Sequence, residues 1–144
     1  MIVYAESSAV LAWLLGEARG SDVRDRLASA ELVIASDLTL VECDRVLIRA
    51  AALGELPEAD AAGRRAELTA AAAHWTVLRV GAGVIDRARQ PFAKEPLRTL
   101  DALHLASALV ARAAVPDLAI LSLDDHLRAN ARALGFDLPL DATR

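Results

Sequence analysis

The sequence predicts an α/β protein, a three-layer sandwich in which a central parallel sheet is flanked by helices, and three observations predict it. Short apolar segments alternate with longer helical ones along the 144 residues. The short segments are apolar throughout rather than at every second position, the pattern of strands covered on both faces. Gly and Pro stand singly at the ends of these segments, with no low-complexity linker and no fixed-period repeat. With an apolar fraction of 55% over this length, one domain spanning residues 1–144 is expected.

Taken in order, residues 2–6 read as a buried strand, and Ser7 or Ser8 is placed to cap a helix over about 9–17. A second short helix follows Gly20. Residues 32–36 form the next strand, followed by a long helix that starts near Asp37 or Thr39 and stops near Gly54. Pro57 opens a helix toward His74, in the first-turn role that proline favours. The third strand is 76–80, and 81–89 is a short helix stopped by Pro91. After Pro96 comes a helix over about 99–113. A fourth strand, 118–123, feeds a helix over 125–134 that ends at Gly135, and 136–140 is expected as a last edge strand.

The formal charge of −4 argues at first against a nucleic-acid partner, which normally shows as a basic patch. Net charge hides distribution, however, and −4 is what two divalent cations would cancel. Of the 16 basic residues Lys94 alone is lysine; arginine suits bidentate phosphate contacts, and the same bias also arises from coding composition. The lone Cys43 excludes an internal disulfide. The opening Met-Ile-Val-Tyr-Ala-Glu lacks the basic region and cleavage site of a signal peptide, so a cytoplasmic protein is expected. Apolar runs such as 9–15 fall far short of the roughly 20 residues that cross a bilayer, and no membrane span is expected.

In parallel sheets ligands bind beyond the carboxyl ends of the strands, which says where to look for chemistry. Glu6 closes the first strand and Asp124 the fourth. Each has a plain alternative: Glu6 as a solvated loop acid and Asp124 as a helix N-cap, the reading that periodicity alone favours for Asp124. Glu42 interrupts Leu38-Thr-Leu-Val-Glu-Cys43 near the start of a helix in apolar surroundings. Asp101 repeats the anomaly in Thr99-Leu-Asp-Ala-Leu-His-Leu-Ala. Compensation of the helix macrodipole, worth roughly 0.3–1 kcal/mol, explains one such acid more comfortably than two. The other reading is a shared pocket in which a cation offsets their desolvation.

Four segments in order resemble one known family. Val3-Tyr-Ala-Glu-Ser-Ser-Ala-Val-Leu looks like the PIN-domain start, in which a strand ends in an acid followed by a Thr/Ser-Ser-Ala-Leu helix cap. Leu38-Thr-Leu-Val-Glu42 is similar to the family's second acid, Leu100-Asp-Ala-Leu-His-Leu-Ala106 to its most recognisable segment, and Leu121-Ser-Leu-Asp-Asp-His-Leu127 to its final strand and acid, with Gly135 in place afterwards. The resemblance spans essentially the whole chain and is to PIN domains of the VapC-like toxin type. It implies a PIN-like sandwich with the first and fourth strands adjacent, and an acidic site at Glu6, Glu42, Asp101 and Asp124. It places the hydroxyl that follows the first acid at Ser7, and spacing from Ser122 selects Asp124 over Asp125. It implies Mg²⁺ (or Mn²⁺) as cofactor, endonucleolytic cleavage of RNA, the role of toxin in a toxin–antitoxin pair, a VapB-like antitoxin and a homodimer. One position departs from the family pattern, since the first acid is usually Asp. The extra methylene of Glu6 moves the carboxylate by about 1 Å, which costs on the order of 100-fold in rate when uncompensated. The alternative is therefore a catalytically impaired PIN-fold module that acts through RNA or protein binding.

Elementary chemistry agrees with the cofactor. Two carboxylates about 4 Å apart repel by roughly 4 kcal/mol at an effective dielectric of 20, so a cluster of four needs a counter-ion. All-oxygen ligands favour Mg²⁺ or Mn²⁺ over zinc, and His74, His104 and His126 have no zinc-motif spacing. His104, one turn after Asp101, is expected to have a structural or supporting role. Arg45 and Arg49 follow Glu42 at helical spacing, as Arg128 and Arg132 follow Asp124. They are candidates for RNA phosphates, or else form solvated stripes with local ion pairs. A receiver-like signalling domain needs an acidic pair at the first strand and a late lysine after a strand. A haloacid dehalogenase-type phosphatase needs Asp-x-Asp there. Glu6-Ser-Ser and Lys94 supply neither. The helices around Val10 to Leu15 and Val23 to Leu27 have apolar surface that suits either a partner or the core.

Overall fold

The computed structural model describes residues 1–141. Its strands are β1 (Ile2–Ala5), β2 (Leu32–Ser36), β3 (Thr76–Leu78) and β4 (Ala119–Leu121). Its helices are α1 (Ser7–Leu14), α2 (Gly20–Ser29), α3 (Asp37–Ala52), α4 (Glu58–Ala72), α5 (Ala82–Ala88), α6 (Thr99–Ala114) and α7 (Asp125–Ala133). The sheet order is β3-β2-β1-β4 with every pairing parallel, so β1 lies between β2 and β4 as expected.

Alternation along β1 divides the core into two layers. Val3 and Ala5 face one side with Val10, Leu14, Val23, Cys43, Leu47 and Leu68, while Tyr4 faces the other with Leu105, Ala108, Leu118, Ile120, Leu127 and Phe136. Strand side chains point alternately to opposite faces, so a fully apolar strand serves both layers. Val10, Leu14 and Val23 are entirely within this core, whereas Leu11, Trp13, Leu15 and Leu27 pack against it and stay partly exposed. The large exposed apolar side chains are elsewhere, among them Val41, Val46 and Leu53 on or just after α3, and Leu100 and Val110 on α6. No helix among the described residues is long and apolar enough to cross a membrane.

Element ends differ from expectation for identifiable reasons. α1 stops at Leu14 rather than near residue 17 because Gly16 takes a positive φ of 67° and turns the chain, a conformation that favours glycine. Its N-cap position is Glu6, not a serine: Ser7 and Ser8 lie inside the first turn and their hydroxyls are engaged elsewhere. β4 ends at Leu121 because the N–H groups of Leu123 and Asp124 donate to the hydroxyls of Ser8 and Ser122 instead of to a neighbouring strand. The expected edge strand over 136–140 does not form. Ile120 N–H donates to Asp137 O at 2.9 Å, and Pro139, with no N–H to offer, opens a 3₁₀ turn, Pro139–Asp141.

Candidate active site

The carboxyl edge of the sheet is stitched together by hydroxyls. Glu6 continues the β1–β4 pairing through its N–H to Leu121 O at 3.0 Å, and its side chain turns inward until only 4% of the residue is exposed. Ser122 Oγ donates to Glu6 Oε2 at 2.8 Å and accepts from Asp124 N–H at 3.1 Å. Ser8 Oγ also donates to Glu6 Oε2 and accepts from Leu123 N–H at 2.9 Å. Two hydroxyls therefore fix the carboxylate of β1 to the end of β4. Burial pushes the Glu6 carboxyl above the usual range, against the lowering effects of the His104 charge and the Ser8 and Ser122 hydrogen bonds. The long side chain of Glu6 reaches the Ser122 hydroxyl.

Glu42 is placed by the start of α3. Ser36 caps that helix by accepting from Leu38 N–H at 3.1 Å, and Thr39 Oγ1 donates to Ala5 O at 3.0 Å, which pins the first turn of α3 to the end of β1. Glu42 Oε1 then accepts from Ser7 Oγ at 3.0 Å and contacts His104 Nε2. The imidazole is buried, and its Nδ1 lies 2.8 Å from the Tyr4 hydroxyl. With its proton on Nε2 the ring donates to Glu42 while Nδ1 pairs with the Tyr4 hydroxyl, so both nitrogens have a partner. Burial pushes the Glu42 carboxyl up, but the His104 hydrogen bond and charge, with Ser7, outweigh it and hold the group below its ordinary value.

Asp101 and Asp124 meet across a more open cleft. One oxygen of Asp124 caps α7 by accepting from Leu127 N–H at 2.8 Å. Its other oxygen is 3.3 Å from Arg98 Nη2, so capping and site roles coexist in one side chain. Arg98 Nε lies 3.4 Å from Asp101 Oδ2. Burial, then the negative charge of Asp124, push the Asp101 carboxyl up, with Arg98 and His104 opposing. Asp125 has 95% of its side chain exposed, whereas Asp124 is paired with Arg98 beside Asp101.

His104 acts electrostatically on Glu6, Glu42 and Asp101, and Asp124 acts on Asp101. Glu42 contacts the buried imidazole directly, Glu6 and Asp101 lie near enough to feel its charge, and the exposed guanidinium of Arg98 joins Asp101 to Asp124. Among the described residues no three His, Cys, Asp or Glu side chains are close enough to hold an ion as they stand. The donor chemistry nevertheless fits a hard divalent cation: the donors are carboxylate oxygens, and a cationic group already bridges two of them.

A PIN-domain family model matches residues 3–133. The chain belongs to the PIN-domain family. It is 35% identical over 134 residues to ribonuclease VapC46 of Mycobacterium tuberculosis, covering 93% of each chain. Its fold is similar to the crystal structure of VapC20 from the same organism, a sarcin-ricin loop cleaving toxin, with a TM-score of 0.64, 20% identity and coverage of 93% and 95% of the two chains. A toxin–antitoxin complex from Klebsiella pneumoniae matches with a TM-score of 0.62, 14% identity and coverage of 92% of each chain.

Within this PIN domain the four candidate arginines divide. Arg45 and Arg49 are exposed on α3 and have no ion pair among the described residues. Arg128 and Arg132 are held by Asp141 of the 3₁₀ turn, Arg132 Nη2 at 2.5 Å from Asp141 Oδ2. The sequence reading missed Ser8, Thr39 and Arg98. Ser8 had a signal in the Ser-Ser pair after Glu6, and Arg98 in its i,i+3 spacing to Asp101; Thr39 acts across elements and had none.

Proposed function

We propose that this chain is an endoribonuclease that hydrolyses RNA phosphodiester bonds with Mg²⁺ (or Mn²⁺) and acts as the toxin of a toxin–antitoxin pair. The observation that carries the reading is the pairing of Glu42 with the buried His104 and of Asp101 with Asp124 through Arg98, beside the buried Glu6 at the carboxyl edge of the parallel sheet. The family and the ribonuclease relative support it.

Asp101 and Asp124 would hold a divalent cation first, with Glu6 and Glu42 as the inner pair, and such an ion would supply Lewis-acid stabilisation of the scissile phosphate and acidify a water. Ser8 and Ser122 hold Glu6, and Ser7 and His104 hold Glu42, so the fold itself places the two inner carboxylates. No side chain acts as a covalent nucleophile. Arg45 and Arg49 lie beyond Glu42 along α3, where they guide RNA phosphates toward the cleft. A cytoplasmic homodimer restrained by a small VapB-like antitoxin completes the proposal; toxin–antitoxin assemblies among the structural neighbours motivate the partner.

The alternative, a PIN-fold module that binds RNA or protein without efficient cleavage, draws on the burial of Glu6 and the engagement of its Oε2 by two hydroxyls. Cleavage of a mixed RNA pool by wild type and Asp101→Asn, each with Mg²⁺ and with EDTA, separates the readings. Cleavage by wild type alone and only with Mg²⁺ is expected. Cleavage that persists in EDTA or in the variant overturns the metal mechanism, and none by wild type favours the binding module.

A further inference from the structure

Arg98 differs from the other arginines near the acids. Arg128 has 17% of its side chain exposed and is locked to Asp141, whereas 77% of the Arg98 side chain is open to solvent. Its contacts with Asp101 at 3.4 Å and Asp124 at 3.3 Å are longer than the 2.7–2.9 Å of a tight charge-assisted pair. It occupies the N-cap position of α6, where a guanidinium has no acceptor to cap with, and it reaches both Asp101 at i,i+3 on that helix and Asp124 on another element. Its stem borders a cleft of ≈ 440 Å³ lined by Pro96, Leu97, Asp101 and the exposed His126.

We infer that Arg98 is a displaceable counter-ion: it neutralises the Asp101–Asp124 pair in the metal-free protein, yields that place to a divalent cation, and then offers its guanidinium to an RNA phosphate in the adjoining cleft. The inference rests on the reading of the site as a cation-dependent RNA hydrolase. Carboxylate oxygens are hard donors that prefer a compact dication to a delocalised monocation. The guanidinium side of both pairs is in water, so leaving the two more buried carboxylates costs Arg98 little once another cation takes its place. Phosphate is the natural next acceptor for a planar guanidinium, and the apolar wall of Pro96 and Leu97 suits the face of a ribose or base. Arg98 is thus a positioning residue in the metal-free state and a substrate contact in the loaded one.

The test compares wild type with R98Q and R98K. Calorimetry with Mn²⁺ alone is expected to give binding about fivefold tighter in R98Q, the scale of one exposed ion pair, and close to wild type in R98K. Steady-state cleavage with Mg²⁺ is expected to show KM raised about tenfold in R98Q with kcat within about twofold, and part of that loss recovered in R98K. Wild type that binds no Mn²⁺ removes both the metal-dependent reading and this inference. Wild type that binds Mn²⁺ while R98Q binds it equally or more weakly removes the inference alone, as does an unchanged KM. Because the side chain is exposed, matching thermal melts are expected to show all three proteins folded.

Discussion

Glu6 and Glu42 contact buried or half-buried hydroxyls and an imidazole, whereas Asp101 and Asp124 contact a solvent-exposed guanidinium at the mouth of a cleft. On the inner side each polar group has a partner from another segment: the loop after β4 and α1 supply Ser122 and Ser8 for Glu6, while α1 and α6 supply Ser7 and His104 for Glu42. Its geometry is therefore a product of folding itself. On the outer side the two aspartates repel, and the group that reconciles them is mobile by chemistry, a long side chain in water. The inner pair is built for placement and the outer pair for exchange.

Removing a central group from each side probes that difference most directly. His104→Ala deprives Glu42, Ser7 and the buried Tyr4 hydroxyl of a partner and leaves a cavity, and is expected to destabilise the metal-free protein by about 2–4 kcal/mol. Arg98→Gln is expected to change stability by less than about 1 kcal/mol. Urea unfolding of both variants in EDTA measures the contrast, and equal losses would break it.

Glu6→Asp is expected to cost about 1–2 kcal/mol in the same assay and to bring no gain in cleavage, because the shorter side chain falls about 1 Å short of the Ser8 and Ser122 hydroxyls. A large gain in cleavage would instead show that Glu6 impairs the site.

The pH dependence is expected to be smaller, because the acids oppose one another. Glu6 is raised by burial, and Asp101 by burial and by Asp124. In the window just above the ordinary carboxylate value of about 4 the folded protein thus binds more protons through these groups than the unfolded chain. Their contribution falls as pH rises through the folded pKa values. Glu42 is net lowered, so its contribution is lost as pH falls through its depressed value. Thermal melts in EDTA are expected to show Glu6→Gln gaining on wild type as pH rises toward neutrality, with the gap closing in acid. A gap independent of pH would mean that Glu6 is not a raised acid.

Much of this was legible in the sequence because it follows from period and from strand ends. β2 ran as expected over Leu32–Ser36, α6 began at Thr99 as expected, and Glu6 and Asp124 fell at the sheet edge because strands carry their last residues there. Asp101 and Glu42 stood out as acids in apolar helical contexts. The hydroxyl stitching was not legible: Ser8 to Leu123 and Ser122 to Glu6 join residues more than a hundred positions apart, and hydroxyls leave no periodic trace. The edge strand failed because apolar content at 136–140 satisfies the core without a ladder, and Pro139 prevents one. For Arg128 and Arg132 the alternative of local ion pairs was legible but its partner was not, since spacing along a helix says nothing of Asp141 on the turn that packs beside it.

Those arginines supply the last and smallest contrast. Arg45 and Arg49 have no carboxylate partner among the described residues, so neutralising phosphate requires no exchange of ion pairs, whereas Arg128 and Arg132 must first leave Asp141. Arg45→Ala and Arg49→Ala are each expected to raise KM for RNA by a few-fold and to reduce the slope of log affinity against log salt by about 1. Arg128→Ala is expected to leave that slope unchanged and to lower stability slightly through the lost Asp141 contact. Salt titrations of RNA binding by the three variants, made in the Asp101→Asn background so that the substrate stays intact, measure both quantities. A reduced slope for Arg128→Ala would place the RNA path over α7 rather than α3 and shift the open side of the site toward the C-terminal turn.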